Sequence, residues 1–302
     1  MTELNTLREI SQRYAKVQPH QVNNLLEESP VLADVPFQAA THGMWNAAMK
    51  TTEINGASFV ALNAPLPSMS VKNQIEKVDL SVMGGEVELP EDTIRALGGE
   101  GNAFSKNEPT FLKKAGMDTE VKFIYDNFIP YAIANDNVID AGATSGSTLS
   151  IVAVRWIEGE TCGLYNPDGF AKGALLDVET IANGSLYKNA AGVLVKGVRY
   201  KGYFGLQLLN PDSVGAILNI NAENIPTAAQ IDDLIDRVKG TPANTKLYMR
   251  HTTCNLLNTH KGELLRTRPE DKDINRVFEE WNGIKIVKSY NFLKTETVTA
   301  FS

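Results

Sequence analysis

Three side chains in the C-terminal part of the sequence have the residue types of a metal or nucleophile site. His251, Cys254 and His260 fall within ten residues of one another. A structural zinc site needs four ligands, however, and a cysteine nucleophile needs a histidine that a third group orients. Neither a fourth ligand nor an orienting partner stands at a suitable spacing, so we expect no metal site and no catalytic residue here.

An acidic loop further along the chain starts like a calcium-binding loop. Asp271, Asp273 and Asn275 occupy the first, third and fifth positions of such a loop. Arg276 stands where the sharp turn needs glycine, and Asn282 stands where a bidentate glutamate is needed. Nucleotide-binding glycine motifs, the serine-hydrolase elbow and the zinc-protease motif do not occur in the sequence. We therefore expect no cofactor and no enzymatic activity.

The composition favours a protein made in the cytoplasm that reads no nucleic-acid sequence and spans no membrane. The 302 residues are 43% hydrophobic and carry a net charge of −7. No apolar run approaches the roughly 18 residues that cross a bilayer, and the N-terminal residues lack a signal-peptide apolar region. Clustered Lys and Arg are needed to bind phosphates, and Lys113-Lys114 is the nearest thing to a basic run. Cys162 and Cys254 are expected to be buried and reduced.

The stretch from residue 137 to 220 has the densest strand signals. Leu149 to Trp156 and Thr161 to Tyr165 are apolar, β-branched runs separated by a short polar patch, a pattern typical of a hairpin. Asn166-Pro167-Asp168-Gly169 predicts a turn by its own chemistry. Further strands are predicted over residues 193–209 and 214–220.

Helix patterns flank this β-rich stretch. Ser105 to Phe128 is the longest, with Ser105 and Glu108 spaced as a capping box, and it would extend about 33 Å at 1.5 Å per residue. Residues 227–239 start with a second capping box, Thr227-x-x-Gln230, and a third helix is predicted over 252–261. With short strands over 245–249 and 284–287, the order of elements predicts an α+β fold. We expect residues 80–128 and 245–302 to share a core.

The N-terminal third contains elements that need a partner. Leu4, Leu7 and Ile10 begin an apolar stripe on an otherwise polar helix, which either docks on its own core or forms an arm on a neighbouring subunit. Asn55-Gly56 between β-capable flanks predicts a hairpin with a type I′ turn. That hairpin has too little apolar content to fold alone, so it must pack on the parent domain or on another chain. Residues 78–89 read as a strand with a bulge or a bend at Gly84-Gly85.

The central stretch also resembles a known family. The opening NVIDAGATSG, a strand ending in Trp156, the segment ETCGLY and a turn leading to Lys172 and Gly173 are similar to the major capsid proteins of tailed bacteriophages. The short-tailed phages are the most similar group. TEINGASFVALNAPLPSMSVKNQIEKVDLSVMGGEVEL resembles the extended loop of that family, and NEPTFLKKAGMDTEVKFIYDN resembles its spine helix. LYMRHTTCNLL and FEEWNGIKIVKSYNFLKTETV resemble its closing helix and strands, whereas NFIPYAIAND is shorter than the family's passage between spine helix and axial domain.

The resemblance implies the tailed-phage major capsid fold and a division of the chain. The expected parts are an N-terminal arm (1–35), an extended β-hairpin loop (36–77), a peripheral domain (78–130 and 245–302, with spine helix 105–128) and an axial domain (131–244).

The resemblance also implies a function. Such subunits form hexamers and pentamers that close an icosahedral shell around packaged double-stranded DNA, which is enclosed without sequence-specific binding. Scaffolding, portal and decoration proteins are the expected further partners, and assembly is expected in the host bacterial cytoplasm. The net acidity suits a container that lets DNA slide. The alternative interpretation is a small-ligand-binding or hydrolytic α+β protein that uses polar loops near Asp168 and His251.

Overall fold

The computed structural model describes residues 5–13, 19–166, 176–264 and 279–300. Its first third contains helices and a two-stranded hairpin: α1 (Leu7–Arg13), α2 (Pro19–Leu26), α3 (Pro30–Asp34), β1 (Phe37–Ala39), β2 (Trp45–Asn55) and β3 (Ser70–Asp79). Strand β4 (Ser81–Pro90) and helix α4 (Glu91–Ala96) follow. A continuous helical rod comes next, made of α5 (Glu100–Lys122), a π-helix (Phe123–Phe128) and α6 (Ile129–Ala134).

The remaining elements are mostly strands, which confirms the α+β class. They are β5 (Val138–Asp140), β6 (Leu149–Arg155), β7 (Thr161–Tyr165), β8 (Leu176–Thr180), β9 (Tyr187–Lys188), β10 (Leu194–Leu208), β11 (Val214–Ile220), α7 (Ala228–Arg237), β12 (Thr245–Met249), α8 (His251–Leu264), β13 (Glu280–Trp281) and β14 (Ile284–Lys288). Within the described residues, no helix is both long and apolar enough to cross a bilayer.

Two six-stranded sheets carry most of these strands. Sheet I has the order β1-β7-β10-β4, and β8 and β9 also pair with the long strand β10. Sheet II has the order β13-β14-β12-β6-β11-β5. The pair β2–β3 forms a separate ribbon that joins sheet I through Leu80, the residue between β3 and β4.

The predicted hairpin of β6 and β7 is wrong, because the two strands lie in different sheets. Strand β6 pairs with β11 on one side and β12 on the other, and its residues from Leu149 to Val154 are buried. A central strand with both edges paired leaves no hydrogen-bonding edge for its sequence neighbour. The chain therefore crosses to sheet I at residues 156–160, where β7 pairs with β1 and β10.

The predicted bulge at Gly84-Gly85 is also wrong. Strand β4 pairs with β10 in unbroken register, with Gly84 opposite Lys201 and Gly85 opposite Tyr200. A Cβ on Gly84 would lie 2.3 Å from the carbonyl oxygen of Tyr200. The glycine thus serves the close approach of two backbones rather than a bend.

The helix starts were predicted with mixed success. Thr227 and Gln230 form the expected capping box of α7, since each side chain bonds the backbone of the other residue. The rod, however, begins at Glu100 after Gly99, five residues before the expected start. The Ser105 hydroxyl donates instead to the carbonyl of Asn102 inside the helix, so the capping box predicted at Ser105 and Glu108 is wrong.

One hydrophobic core receives residues from all parts of the chain. Leu7 and Ile10 of α1 and Leu25 of α2 are buried in it, so the described N-terminal helices dock on their own chain, the first of the two alternatives. The same core contains residues of the rod, of the C-terminal segment and of sheet II, including Leu112, Phe128, Val152, Val154, Val287 and Phe292. Residues 80–128 and 245–302 therefore share a core, as expected, and strands of the central stretch also join it.

Two carboxylates, one fully buried and one half-buried, tie the rod to distant segments. Glu120 is fully buried and accepts hydrogen bonds from the backbone N–H groups of Val31 and Leu32 at 2.9 and 3.1 Å, and from the Ser289 hydroxyl. Glu296 accepts from the hydroxyls of Tyr125, at 2.5 Å, and Ser150, at 2.9 Å. Burial raises the pKa of both carboxyls, against the lowering effect of these donors.

The close packing of α5 on α2 gives a test at Gly116. A Cβ there would lie 1.9 Å from the carbonyl oxygen of Leu25, so Gly116→Ala should lower the free energy of unfolding by about 2 kcal/mol or more, despite the higher helix propensity of alanine. Gly101→Ala, in the same helix with no atom within 4 Å of the added Cβ, should leave stability unchanged or raise it by up to about 1 kcal/mol. Urea unfolding followed by circular dichroism measures both, and equal effects would contradict the packing.

The Glu120 network predicts a graded pair of variants. Glu120→Ala leaves two buried N–H groups and one hydroxyl without an acceptor, so it should cost about 2–4 kcal/mol of unfolding free energy. Glu120→Gln keeps an acceptor oxygen and should cost less than half as much. Asp118→Ala, on the exposed surface of the same helix in a pair with Lys114, should cost no more than about 1 kcal/mol. An equal loss in all three variants would refute the network's role.

The raised pKa of Glu296 predicts the sign of a pH dependence. A carboxyl whose pKa is higher in the folded state binds protons more tightly there, so its contribution to stability falls as pH rises through that pKa. Glu296→Gln removes the titrating carboxyl and with it this pH-dependent contribution to stability. The unfolding free energy of the variant, relative to the unchanged protein, should therefore increase between pH 4 and pH 8, as measured by urea titration at each pH. A difference that decreases with pH would contradict the direction of the shift.

Candidate assembly surface

The hairpin β2–β3 leaves the body of the protein after its first few residues. Its base is anchored: Ala48 is buried, and the Asn46 side-chain amide donates to the Gln207 oxygen in sheet I at 2.6 Å. Beyond the base, every residue from 51 to 77 is exposed. Strands of this length extend roughly 33 Å at 3.3 Å per residue, so the distal hairpin contacts solvent on both faces.

The tip of the hairpin differs from the prediction. Asn55 is the last residue of β2, and it pairs with Ser70 across a 14-residue loop, 56–69. The type I′ turn at Asn55-Gly56 is therefore wrong, because the residues after Gly56 do not return along β2. The loop exposes large apolar side chains, with Phe59 at 108% and Leu62 at 94% of the reference accessibility.

The hairpin carries no charge between Ile54 and Val71. In a chain in which 22% of the residues are charged, an uncharged exposed stretch with several large apolar side chains is typical of a surface that another molecule covers. Sequence reasoning missed these exposed side chains as a candidate site, although the absence of charge over residues 54–71 was a signal that could have identified them.

A groove lies beside the root of the hairpin, between β4 and α5. Its volume is about 870 Å³, and its lining combines apolar side chains with charged ones. The apolar ones include Val82, Met83, Val87 and Phe111. Within the described part of the chain, β4 pairs on one side only, with β10. The groove therefore combines an apolar floor with a free strand edge, the two features that extended peptide segments bind.

The residues considered for chemistry are not assembled into an active site. The His251 ring stacks on Tyr290, with ring centroids 4.9 Å apart. Cys254 is buried, and burial raises the pKa of its thiol, which disfavours the reactive thiolate. Cys162 is likewise buried, and its pKa is raised to about 12. Both cysteines are buried thiols, as expected.

Other candidate residues fall outside the described residues. These are Asp168 with its predicted turn, and Asp271, Asp273, Asn275 and Arg276 of the acidic loop. Among the residues that the structure describes, no three His, Cys, Asp or Glu side chains are grouped so as to hold a metal ion.

Solved structures share this architecture at low sequence identity. A chain in the structure of bacteriophage Epsilon15 superposes with a TM-score of 0.55 and 12% identity, covering 87% of this chain and 88% of that chain. A chain of the bacteriophage JBD30 capsid gives a TM-score of 0.52 and 8% identity, covering 84% and 88%. The likeness confirms the tailed-phage capsid fold.

Sequence comparison identifies the family. No curated protein matches the chain. A family model described as "Major capsid protein GP7", however, matches residues 124–300, which are more than half of the chain. That range contains most of the rod's π-helix, all of sheet II and most strands of sheet I. The chain therefore belongs to the major capsid protein GP7 family, as its resemblance to the major capsid proteins of tailed bacteriophages implied.

Proposed function

We propose that this capsid protein assembles with copies of itself, as hexamers and pentamers, into an icosahedral shell that encloses double-stranded DNA. The observation that carries the proposal is the exposed hairpin with its uncharged tip. Burying an apolar side chain such as that of Leu62 or Phe59 is worth roughly 1.5–3 kcal/mol. A chain whose partners are its own copies gains this energy once for every subunit added.

The division into parts supports the same role. We propose an N-terminal arm that packs on its own chain, an extended loop, a peripheral domain around the rod and an axial domain. Their bounds lie near those that the family resemblance implies (1–35, 36–77, 78–130 with 245–302, and 131–244). In sheet II, β12 pairs with β6 and β14 pairs with β12, which favours adding residues 245–249 and 284–288 to the axial domain. From the sequence these residues had been expected in the peripheral domain.

The other partners follow from the family resemblance. Scaffolding, portal and decoration proteins, a place in the virion shell and assembly in the host cytoplasm are part of this proposal, and so is membership of the short-tailed group. The net charge of −7 supports an enclosing role, since a shell that bound DNA through many phosphate contacts would need basic clusters.

An enzymatic role has no supporting observation. The family and its fold are structural rather than enzymatic. The alternative of a small-ligand-binding or hydrolytic protein relied on Asp168 and His251. Asp168 lies outside the described residues. The ring of His251 stacks on the ring of Tyr290, which is not the arrangement of a catalytic histidine between a carboxylate and a nucleophile.

The proposal predicts the result of shortening the hairpin. Replacing loop 56–69 with a two-residue Asn-Gly turn should leave the thermal midpoint of the subunit unchanged, because the loop is exposed throughout. Shell formation, scored by negative-stain microscopy and sedimentation, should be lost. A matched control is Val193→Ser, which changes an exposed apolar residue in the turn before β10 and should leave assembly intact.

Two outcomes would contradict the proposed function. An unchanged protein that remains monomeric under all conditions, including co-expression with its scaffold, would refute self-assembly. Normal shells from the loop-replaced variant would show that the hairpin tip takes no part in them.

A further inference from the structure

The two faces of the distal hairpin differ in character. In an antiparallel pair, residues directly opposite each other point to the same face. Met49 lies opposite Ile75, and Ile54 lies opposite Val71. In β3, Ile75 and Val71 are four residues apart and thus on one face, since side chains alternate with a period of two. These four side chains form the apolar face, and they are 62%, 74%, 68% and 57% exposed in the order named.

A β-bulge places Ile54 on this face. Between the pairs Thr51–Asn73 and Glu53–Lys72, strand β2 advances two residues while β3 advances one. Thr52 is the extra residue, and its hydroxyl donates to the carbonyl of Lys72 at 3.1 Å. Without the bulge, strict alternation from Met49 would put Ile54 on the opposite face and Glu53 on the apolar one.

The opposite face satisfies its own charges. It carries two ion pairs, Lys50 with Glu76 at 3.5 Å and Lys72 with Glu53 at 2.5 Å. The charges in each pair already neutralise each other and are hydrated at the surface. Covering this face would therefore cost the free energy of removing water from these charges, without giving them new partners. The apolar face carries one ion pair, Lys77 with Asp79 at 2.7 Å, next to the base of the hairpin. Further out on this face, the hydroxyl of Thr51 donates to the Asn73 side-chain oxygen at 3.1 Å.

We infer that the apolar face of the hairpin, defined by Met49, Ile54, Val71 and Ile75, is the face that a second copy of this chain covers in the shell. The inference rests on the proposed function. Within the part of the chain that the structure describes, nothing covers this face, since all four side chains are more than half exposed. Four large apolar side chains exposed to this degree amount to a few hundred Å², the size at which exposed patches mark interaction surfaces.

A second copy is the occupant that fits the family's self-assembling role. Every subunit brings one hairpin and one body, so a contact between the hairpin of one copy and the body of the next leaves neither unpaired. Such a head-to-tail contact closes into rings when the rotation between neighbours permits it. The charged face then remains toward solvent, where its ion pairs are stable without partners.

Neighbouring residues on opposite faces provide matched variants for the test. Ile75→Glu and Gln74→Glu each add one negative charge at exposed, adjacent positions of β3, and Ile54→Glu and Asn55→Glu do the same at the end of β2. All four should fold with the thermal midpoint of the unchanged protein. Ile75→Glu and Ile54→Glu should reduce the yield of shells at least tenfold, by sedimentation and negative-stain microscopy, whereas Gln74→Glu and Asn55→Glu should stay within twofold.

The outcomes separate this inference from the proposed function. If the unchanged protein forms shells and all four variants do so equally, the face assignment is wrong and self-assembly stands. If Gln74→Glu blocks assembly and Ile75→Glu does not, the charged face is the covered one. If Ile54→Glu behaves as Asn55→Glu does, the bulge does not act as described. A persistently monomeric unchanged protein would overturn the proposed function and this inference with it.

Discussion

The buried carboxylate of Glu120 is the contact on which the body of the subunit depends. It joins the middle of the rod to the first residues of α3 and to Ser289 after β14, three segments that are far apart in sequence. Burying a carboxylate costs desolvation free energy, which its several hydrogen-bond donors offset. Removing the carboxylate costs more stability, because the donors are then buried without an acceptor. The N-terminal helices and the C-terminal segment are thus fixed to one rigid element.

This arrangement separates a well-packed body from an exposed extension. Sheet II places β6 in its centre, and the chain then crosses to sheet I, where β10 pairs with four other strands. The rod covers both through the shared core. Beyond its base, the hairpin receives none of this support from the described residues, and residues 51–77 are exposed.

Much of the fold could be predicted because it depends on local patterns. Apolar runs identified β6, β7 and β11 within one or two residues, and the Thr227 capping box fixed the start of α7. Strand pairing was not predictable in the same way, since whether β6 is an edge or a central strand depends on β12, about a hundred residues later. Because β6 pairs with β11 and β12, the chain crosses to the other sheet after β6 instead of forming the predicted hairpin with β7.

The candidate surface was only partly accessible from the sequence. The existence of a hairpin near Asn55 was predicted from turn chemistry, but its loop was placed too early. The face on which Ile54 lies could not be predicted, because counting by two from Met49 gives the wrong side when one extra residue, Thr52, is inserted. The role of Glu120 was equally hidden, since a single acid in a helix is most often a solvated one.

The continuity of β3, Leu80 and β4 has a mechanical consequence. Strand β4 is held to β10 by ten consecutive residue pairs, and only Leu80 separates it from β3. Tension applied to the hairpin from outside would therefore pull β4 lengthwise past β10. The backbone bonds between them would be loaded together in shear rather than opened one at a time. A pull on the hairpin would in this way reach β10, the longest strand of the body.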